Sequence, residues 1–157
     1  MLIELWSLGK DNMRDFEPGI TEYAKRINRY HKFNLVVIDN SKINKAIPLA
    51  KIQEKEMELI VQRMQERDLL VCLDENGTNY TSVQFAEQLN TWFNRAPQRL
   101  IFVIGGSYGI SKQLLHQSVA TVSLSKFTFP HQLVRLVFTE QLYRAFSILN
   151  NEKYHHD

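Results

Sequence analysis

Apolar residues in this chain gather alternately into short unbroken runs and into longer stripes of three- and four-residue spacing. Leu2 to Leu8 is a short run, closed by Gly9, and reads as a strand. From Met13 to Tyr30 the residues Phe16, Ile20, Tyr23, Ile27 and Tyr30 mark one face of an amphipathic helix. Phe33–Ile38 is a second strand. A polar segment, residues 40–47, carries Lys42 and Lys45, and Pro48 suits the first turn of a helix running to about Glu66. Leu69–Leu73 is a third strand, and Asp74-Glu75-Asn76-Gly77 after it has the composition of a turn. Ser82 can cap a helix to about Phe93, with Phe85, Leu89 and Trp92 on one side. A fourth strand over Leu100–Ile104, a short helix from Ser111 to about His116, a fifth strand over Val119–Leu124 and a helix over His131–Leu149 complete the chain. Strand and helix alternate throughout without repeat or linker. The expectation is one α/β domain over residues 1–157, with a mainly parallel sheet and helices on both faces.

The last helix stands out because more than half its circumference is apolar, from Leu133 and Val134 through Phe138 and Leu142 to Phe146 and Leu149. One sheet face buries a stripe, not a cylinder. Either the helix is sandwiched inside the chain or its far side meets a second copy; the expectation favours the second copy, with Phe138 or Phe146, whichever faces out, in the seam.

Composition narrows the class. With 44% hydrophobic and 23% charged residues the chain is an ordinary globular one and not a disordered one. The single cysteine, Cys72, excludes an internal disulfide. The opening residues lack a basic-then-apolar leader and no apolar run is long enough to span a bilayer, so a cytoplasmic protein is expected, with no membrane partner. Charge is uneven. Residues 1–87 hold 12 Lys/Arg against 14 Asp/Glu, residues 88–157 hold 7 against 3, and from Gln88 to Thr139 there is no carboxylate. Arg95, Arg99, Lys112, Lys126 and Arg135 stand in that stretch, which reads as a half of the molecule turned towards a polyanion.

Ligands of open α/β sheets bind beyond the carboxyl ends of strands. Three such ends are suggestive: Leu73, Gly105 and Leu124. Gly105-Gly106-Ser107-Tyr108-Gly109 permits a sharp turn with backbone N–H groups near a ligand. A nicotinamide dinucleotide site is disfavoured, because the glycine order is wrong and the next acid is Glu140. A P-loop is excluded by the missing Gly-Lys-Ser/Thr. Cys72 reads as an inert core thiol, and His155-His156 supplies no closed ligand set, so no metal is expected.

Several stretches taken together resemble one family. They are Ile104-Gly105-Gly106-Ser107-Tyr108-Gly109, the segment from Leu124-Ser125-Lys126-Phe127-Thr128-Phe129-Pro130-His131 to Arg135, Glu140-Gln141-Leu142-Tyr143-Arg144-Ala145, and the ending Tyr154-His155-His156. The family is the ribosomal RNA large subunit methyltransferase H family, of the α/β-knot (SPOUT) class, and the resemblance runs the length of the chain. It implies methyl transfer from S-adenosyl-L-methionine to N3 of a pseudouridine in 23S ribosomal RNA within assembled ribosomes. It also implies a homodimer and a trefoil knot in the C-terminal half. The cofactor is then expected at Leu73, Gly105 and the loop Leu124, Ser125, Lys126, Phe127, Thr128 and Phe129, the strand ends already reached from sheet geometry. Relatives often carry basic residues near Asp74–Thr78, where this chain is acidic.

For catalysis, the N3–H of the acceptor lies between two carbonyls and is weakly acidic, so a base or a donor to the developing anion helps. Arg144, Tyr154 and His155 are the candidates, reaching across the dimer, with His131 and Arg135 as RNA contacts or supports. The alternatives are an RNA-binding α/β module without catalysis and the same transferase acting at another RNA position. A side chain at Gly105 is expected to fill ligand space in an intact fold. Loss of the tail from Tyr154 is expected to leave stability almost unmoved while methyl transfer falls by orders of magnitude, the alternative being that the tail is a solvated end.

Overall fold

The computed structural model describes residues 1–9 and 15–156. Its elements follow the order β1 (Leu2–Leu8), α1 (Glu17–Ile27), β2 (Lys32–Ile38), α2 (Leu49–Val61), β3 (Asp68–Asn79), α3 (Ser82–Phe93), β4 (Arg99–Ile104), α4 (Lys112–Gln117), β5 (Ala120–Ser123) and α5 (His131–Leu149). The strands form one sheet in the order β2-β1-β4-β3-β5, and every pairing is parallel. The α/β expectation holds. The part of the first helix predicted from Met13 falls partly outside the described residues; within them α1 starts at Glu17.

Both faces of the sheet are covered, which is why the inner strands read as continuous apolar runs. Along β4, Leu100, Phe102 and Ile104 point to one side with Ile3, Leu5, Val71 and Leu73. Ile101 and Val103 point to the other with Trp6, Leu70 and Cys72. The first side is roofed by α1, α3 and α5, where Phe102 meets Phe138 at 4.7 Å between ring centroids and Trp92 at 5.9 Å. The second is roofed by α2 and α4 through Ile60 and Leu114. Each fully buried aromatic or aliphatic side chain contributes roughly 1.5–3 kcal/mol.

Three local expectations change. Residues 74–77 are not a free turn: β3 runs on to Asn79, and its pairing with β5 jumps, so that Leu73 and Thr78 both face Val122. This bulge lifts Asp74 and Glu75 out of the ladder at the sheet's C-terminal edge. Helix α3 is capped by Thr81 and not by Ser82; the Thr81 hydroxyl accepts from the Gln84 N–H while the Gln84 side chain accepts from the Thr81 N–H. Helix α2 ends at Val61, short of Glu66, with Pro48 as the residue before its first turn.

The largest correction concerns α5. Phe138 and Phe146 are 0% and 2% exposed and belong to the core of the single chain. The helix lies between α1 and α3, so two helices and the sheet take up the apolar circumference that had suggested an outside partner. What remains half-buried on α5 is a different set, including Leu133, Leu136 and Val137.

The acid-free stretch does not stay free of acids in space. Arg99 donates through Nε to Asp68 Oδ1 at 2.9 Å and through Nη1 to Glu4 Oε2 at 3.2 Å, and its guanidinium lies over the Trp6 ring. Arg135 is buried at 3% exposure. Of the five cations in that stretch, Arg95, Lys112 and Lys126 are exposed.

Candidate active site

A cavity of about 400 Å³ opens beyond the C-terminal ends of β3, β4 and β5, within the usual size of a small-molecule site. Leu73 and Ile104 form its floor, Gly106 to Gly109 one wall, and Leu124, Ser125, Phe127, Thr128 and Phe129 another. His131 and Val134 close it from the first turn of α5.

Each wall has a local cause. Gly109 has φ of 78°, a conformation open to glycine, and its N–H donates to the Gly106 carbonyl at 3.0 Å, which folds residues 106–109 into a tight turn. The 124–130 segment is held by its own polar side chains. Ser123 Oγ donates to the Ser125 carbonyl at 3.0 Å, and the Phe127 N–H donates to Ser125 Oγ at 3.0 Å. It is tied to the β3 bulge by Lys126 Nζ donating to the Glu75 carbonyl and Thr128 Oγ1 donating to Glu75 Oε2, both at 3.3 Å. Pro130 ends the segment and starts α5.

Six of the eight residues expected at the cofactor line this cavity; Gly105 and Lys126 stand just outside it. A Cβ on Gly105 would come within 2.7 Å of Ile110 Cγ1 and 2.9 Å of the Gly109 carbonyl carbon, so the space it lacks is protein space and not ligand space. Phe127 is 79% exposed and stands at the rim of the cavity. Sequence reasoning passed over Asp74, Glu75, Ser107 and Tyr108, all of which line the cavity. The turn-like composition of 74–77 concealed the first two. His131 is held below the ordinary imidazole range, first by burial and then by the nearby Arg135 guanidinium, against carbonyls of Leu8 and Gly106 that favour its charged form.

A second constellation lies farther along α5. Arg144 donates to Glu140 Oε1 through Nε at 3.1 Å and also through Nη2, and its guanidinium is 4.8 Å from the Tyr154 ring centroid. Tyr154 donates to the same Glu140 oxygen at 3.1 Å, and its ring meets Tyr143 edge-on at 4.7 Å. That leaves Tyr23 as the donor to Tyr154, with the two hydroxyl oxygens 3.3 Å apart. Arg144 Nη1 lies 3.3 Å from His155 Nδ1. A guanidinium only donates, so the contact puts the lone pair on Nδ1 and the proton of the neutral ring on Nε2. Burial, followed by the Tyr23 and Glu140 contacts, pushes the Tyr154 phenol well above its ordinary value.

The structure therefore brings Arg144, Tyr154 and His155 together, as three residues from one sequence motif and a tail. It adds Glu140, which the sequence reading did not single out as a site residue although it is the first acid after the long acid-free stretch. None of the four lines the cavity. Val134, at the cavity, and Arg144 are ten positions apart on one helix, about 15 Å along its axis.

Comparison with known proteins decides the family. A model described as "Predicted SPOUT methyltransferase" matches residues 1–155. The chain belongs to the SPOUT methyltransferase family. Within it, the chain is 45% identical over 157 residues, the full length of both, to a protein of Parabacteroides distasonis named ribosomal RNA large subunit methyltransferase H. It is 39% identical over 158 residues, 99% of each chain, to one of the same name from Acetivibrio thermocellus. In fold it is similar to a probable methylase family protein from Haemophilus influenzae, with a TM-score of 0.55 at 12% identity over 99% of this chain and 70% of that one. The chain is thus a SPOUT methyltransferase, matched over its whole length by relatives named methyltransferase H. The residues that carried the resemblance are those that build the two constellations. Among the described residues no group of His, Cys, Asp and Glu could hold a metal ion, and no helix is long and apolar enough to cross a membrane.

Proposed function

We propose that this SPOUT methyltransferase transfers the methyl group of S-adenosyl-L-methionine to N3 of a pseudouridine in 23S ribosomal RNA of the large subunit, working as a cytoplasmic homodimer on assembled ribosomal particles. The observation that carries this reading is the separation of the two constellations. The cavity suits a cofactor in size and in donor chemistry. Backbone groups of residues 106–109 and 124–129 surround it, and the carboxylates of Asp74 and Glu75 suit a ligand that bears ammonium and sulfonium charge. When bound there, the cofactor supplies an electrophilic methyl group.

The acceptor needs a different environment, and the Glu140–Arg144–Tyr154–His155 cluster has it. A pyrimidine that loses its N3 proton spreads negative charge over two carbonyl oxygens. Arg144 and the Nε2–H of His155 are donors, while the one O–H of Tyr154 is given to Glu140 and its ring lies against the Arg144 guanidinium. Such a set stabilises the anion instead of taking the proton, which passes to water. Glu140 orients Arg144 and Tyr154 and is itself occupied. Since about 15 Å of helix separates cluster and cavity in one chain, the cluster of the partner subunit completes the site. His131, on the first turn of α5 at the cavity, and the buried Arg135 one turn on serve the RNA side as supports. The apolar residues left half-buried on α5, Leu133, Leu136 and Val137, are the seam.

Mixed dimers test this directly. Arg144→Ala and Gly106→Val subunits, each inactive alone, should recover about a quarter to a half of wild-type methyl transfer per dimer when co-refolded, because one of the two shared sites is intact. No recovery would rule out the shared site. Mapping the methylated nucleotide on intact particles and on extracted rRNA by mass spectrometry tests the acceptor. Label at another position, or none with S-adenosyl-L-methionine bound, would replace the acceptor or the catalytic reading respectively.

A further inference from the structure

Against Gly106, which lines the cavity, sits a buried carboxyl group that does not itself line it. Glu56, on α2, is 4% exposed. Its Oε1 accepts from Asn40 Nδ2 at 2.7 Å, and Oε2 has no hydrogen-bond donor among the described residues. The carboxyl lies where a Cβ on Gly106 would be, with Oε1, Cδ and Oε2 as its nearest neighbours. One turn earlier on the same helix face, Gln53 Nε2 donates to the Tyr108 carbonyl at 2.9 Å. Burial pushes the Glu56 carboxyl above the usual range, opposed by the Asn40 bond and by attraction to Lys45.

Burying a carboxyl group is costly unless something in the fold needs it there. A leucine would cover Gly106 as well and would bury no carboxylate oxygen without a donor. What leucine cannot do is accept from Asn40, the first residue of the 40–47 segment that joins β2 to α2. Glu56 thus touches two things together: the backbone of the Gly106–Tyr108 wall and the base of a lysine-bearing loop. The carboxyl also lines a cavity of about 10 Å³ shared with Asn40, Lys45, Ser107 and Tyr108, which has room for a single water.

We propose that Glu56 is a positioning residue of the methyl-donor site: its carboxyl group seats the Gly106–Tyr108 wall and locks it to the 40–47 loop through Asn40. This rests on the reading of the cavity as the donor site. It explains why position 106 is glycine, since the backbone must approach a carboxyl group there. It also joins the donor site to the one loop of this region that carries two lysines, so a ligand held by either would steady the other.

The test uses the full-length chain and three variants. Glu56→Gln keeps an oxygen for Asn40, Glu56→Leu keeps volume without an acceptor, and Asn40→Ala removes the donor. Amide hydrogen exchange at Ser107, Tyr108 and Gly109 is measured without ligand, alongside calorimetric titration with S-adenosyl-L-methionine and steady-state transfer. Glu56→Leu and Asn40→Ala should exchange these three amides faster and raise the KM for the donor about tenfold, with kcat at saturating donor within about threefold of wild type. Glu56→Gln should restore both. A merely structural role would lower the Tm of Glu56→Leu without that split and without rescue by glutamine, and that outcome overturns the proposal. So does unchanged exchange at residues 107–109 in folded Glu56→Leu. If exchange responds as expected but the wild-type chain does not bind the donor, the positioning of the wall stands and the reading of the cavity fails.

Discussion

Gly105 and Gly106 are neighbours that exclude side chains for different reasons. At Gly105 a Cβ runs into the Gly109 backbone and Ile110; at Gly106 it meets the Glu56 carboxyl. Gly105→Val should therefore cost about 1–3 kcal/mol of stability through overpacking, in addition to weakening the donor site. Chemical denaturation read beside calorimetry checks this, and a variant of wild-type stability that has lost only binding would return the conflict to the ligand space. His131 offers a second test at this scale. Its pKa is depressed in the fold, so the unfolded chain binds the proton more readily. The stabilisation is complete above the unfolded value of about 6.5 and is lost as pH falls through that value to the folded one. His131→Gln should flatten the decline in denaturation midpoint between about pH 7.5 and 5, leaving the part due to His31, which is also depressed by burial. An unchanged decline would show that His131 titrates alike in both states.

At the scale of elements, the tail and α5 have to be considered as one unit. Tyr154 is half-buried, with its ring on Tyr143 and its hydroxyl between Tyr23 and Glu140, so it is not a solvated end. Deleting residues 154–157 should lower stability by about 1–2 kcal/mol and not leave it unmoved. Tyr154→Phe should cost less, about 1 kcal/mol, because the ring remains. Thermal melts of the two variants give the comparison, and equal losses would place the whole effect in the hydrogen bonds. The contrast also marks what was legible in the sequence. Strands and helices announce themselves through spacing, and α5 was placed from His131 to Leu149 because Pro130 and the polar residues after Leu149 bracket it. What α5 packs against is not a local property. The stripe that suggested an outside partner is met inside the chain by α1, whose Tyr23 and Ile27 lie more than a hundred positions away. The β3 bulge was hidden for a related reason. A residue run rich in Asp, Asn and Gly has turn chemistry whether or not a neighbouring strand captures it, and β5 supplies that capture only after folding.

Across the whole molecule, the sheet order has a consequence for how the chain reaches its fold. Strand β1 occupies an inner position between β2 and β4, and β3 lies between β4 and β5. The register pairs Leu2 with Arg99 and Ser7 with Ile104, so β1 has one side unpaired until residue 104 exists. At about 5–20 residues per second that is a wait of roughly 5–20 s, far longer than helix or hairpin formation. During it Ile3 and Leu5 have at most β2 as a strand neighbour and no roof from α5. Distant parallel pairings of this kind also slow refolding of the released chain, towards the millisecond-to-second range or beyond. Nascent chains of this enzyme stalled before residue 99 should therefore be protease-sensitive at β1 and those stalled well past residue 149 resistant, which places its conversion to a protected state late in synthesis, once the final helix has emerged.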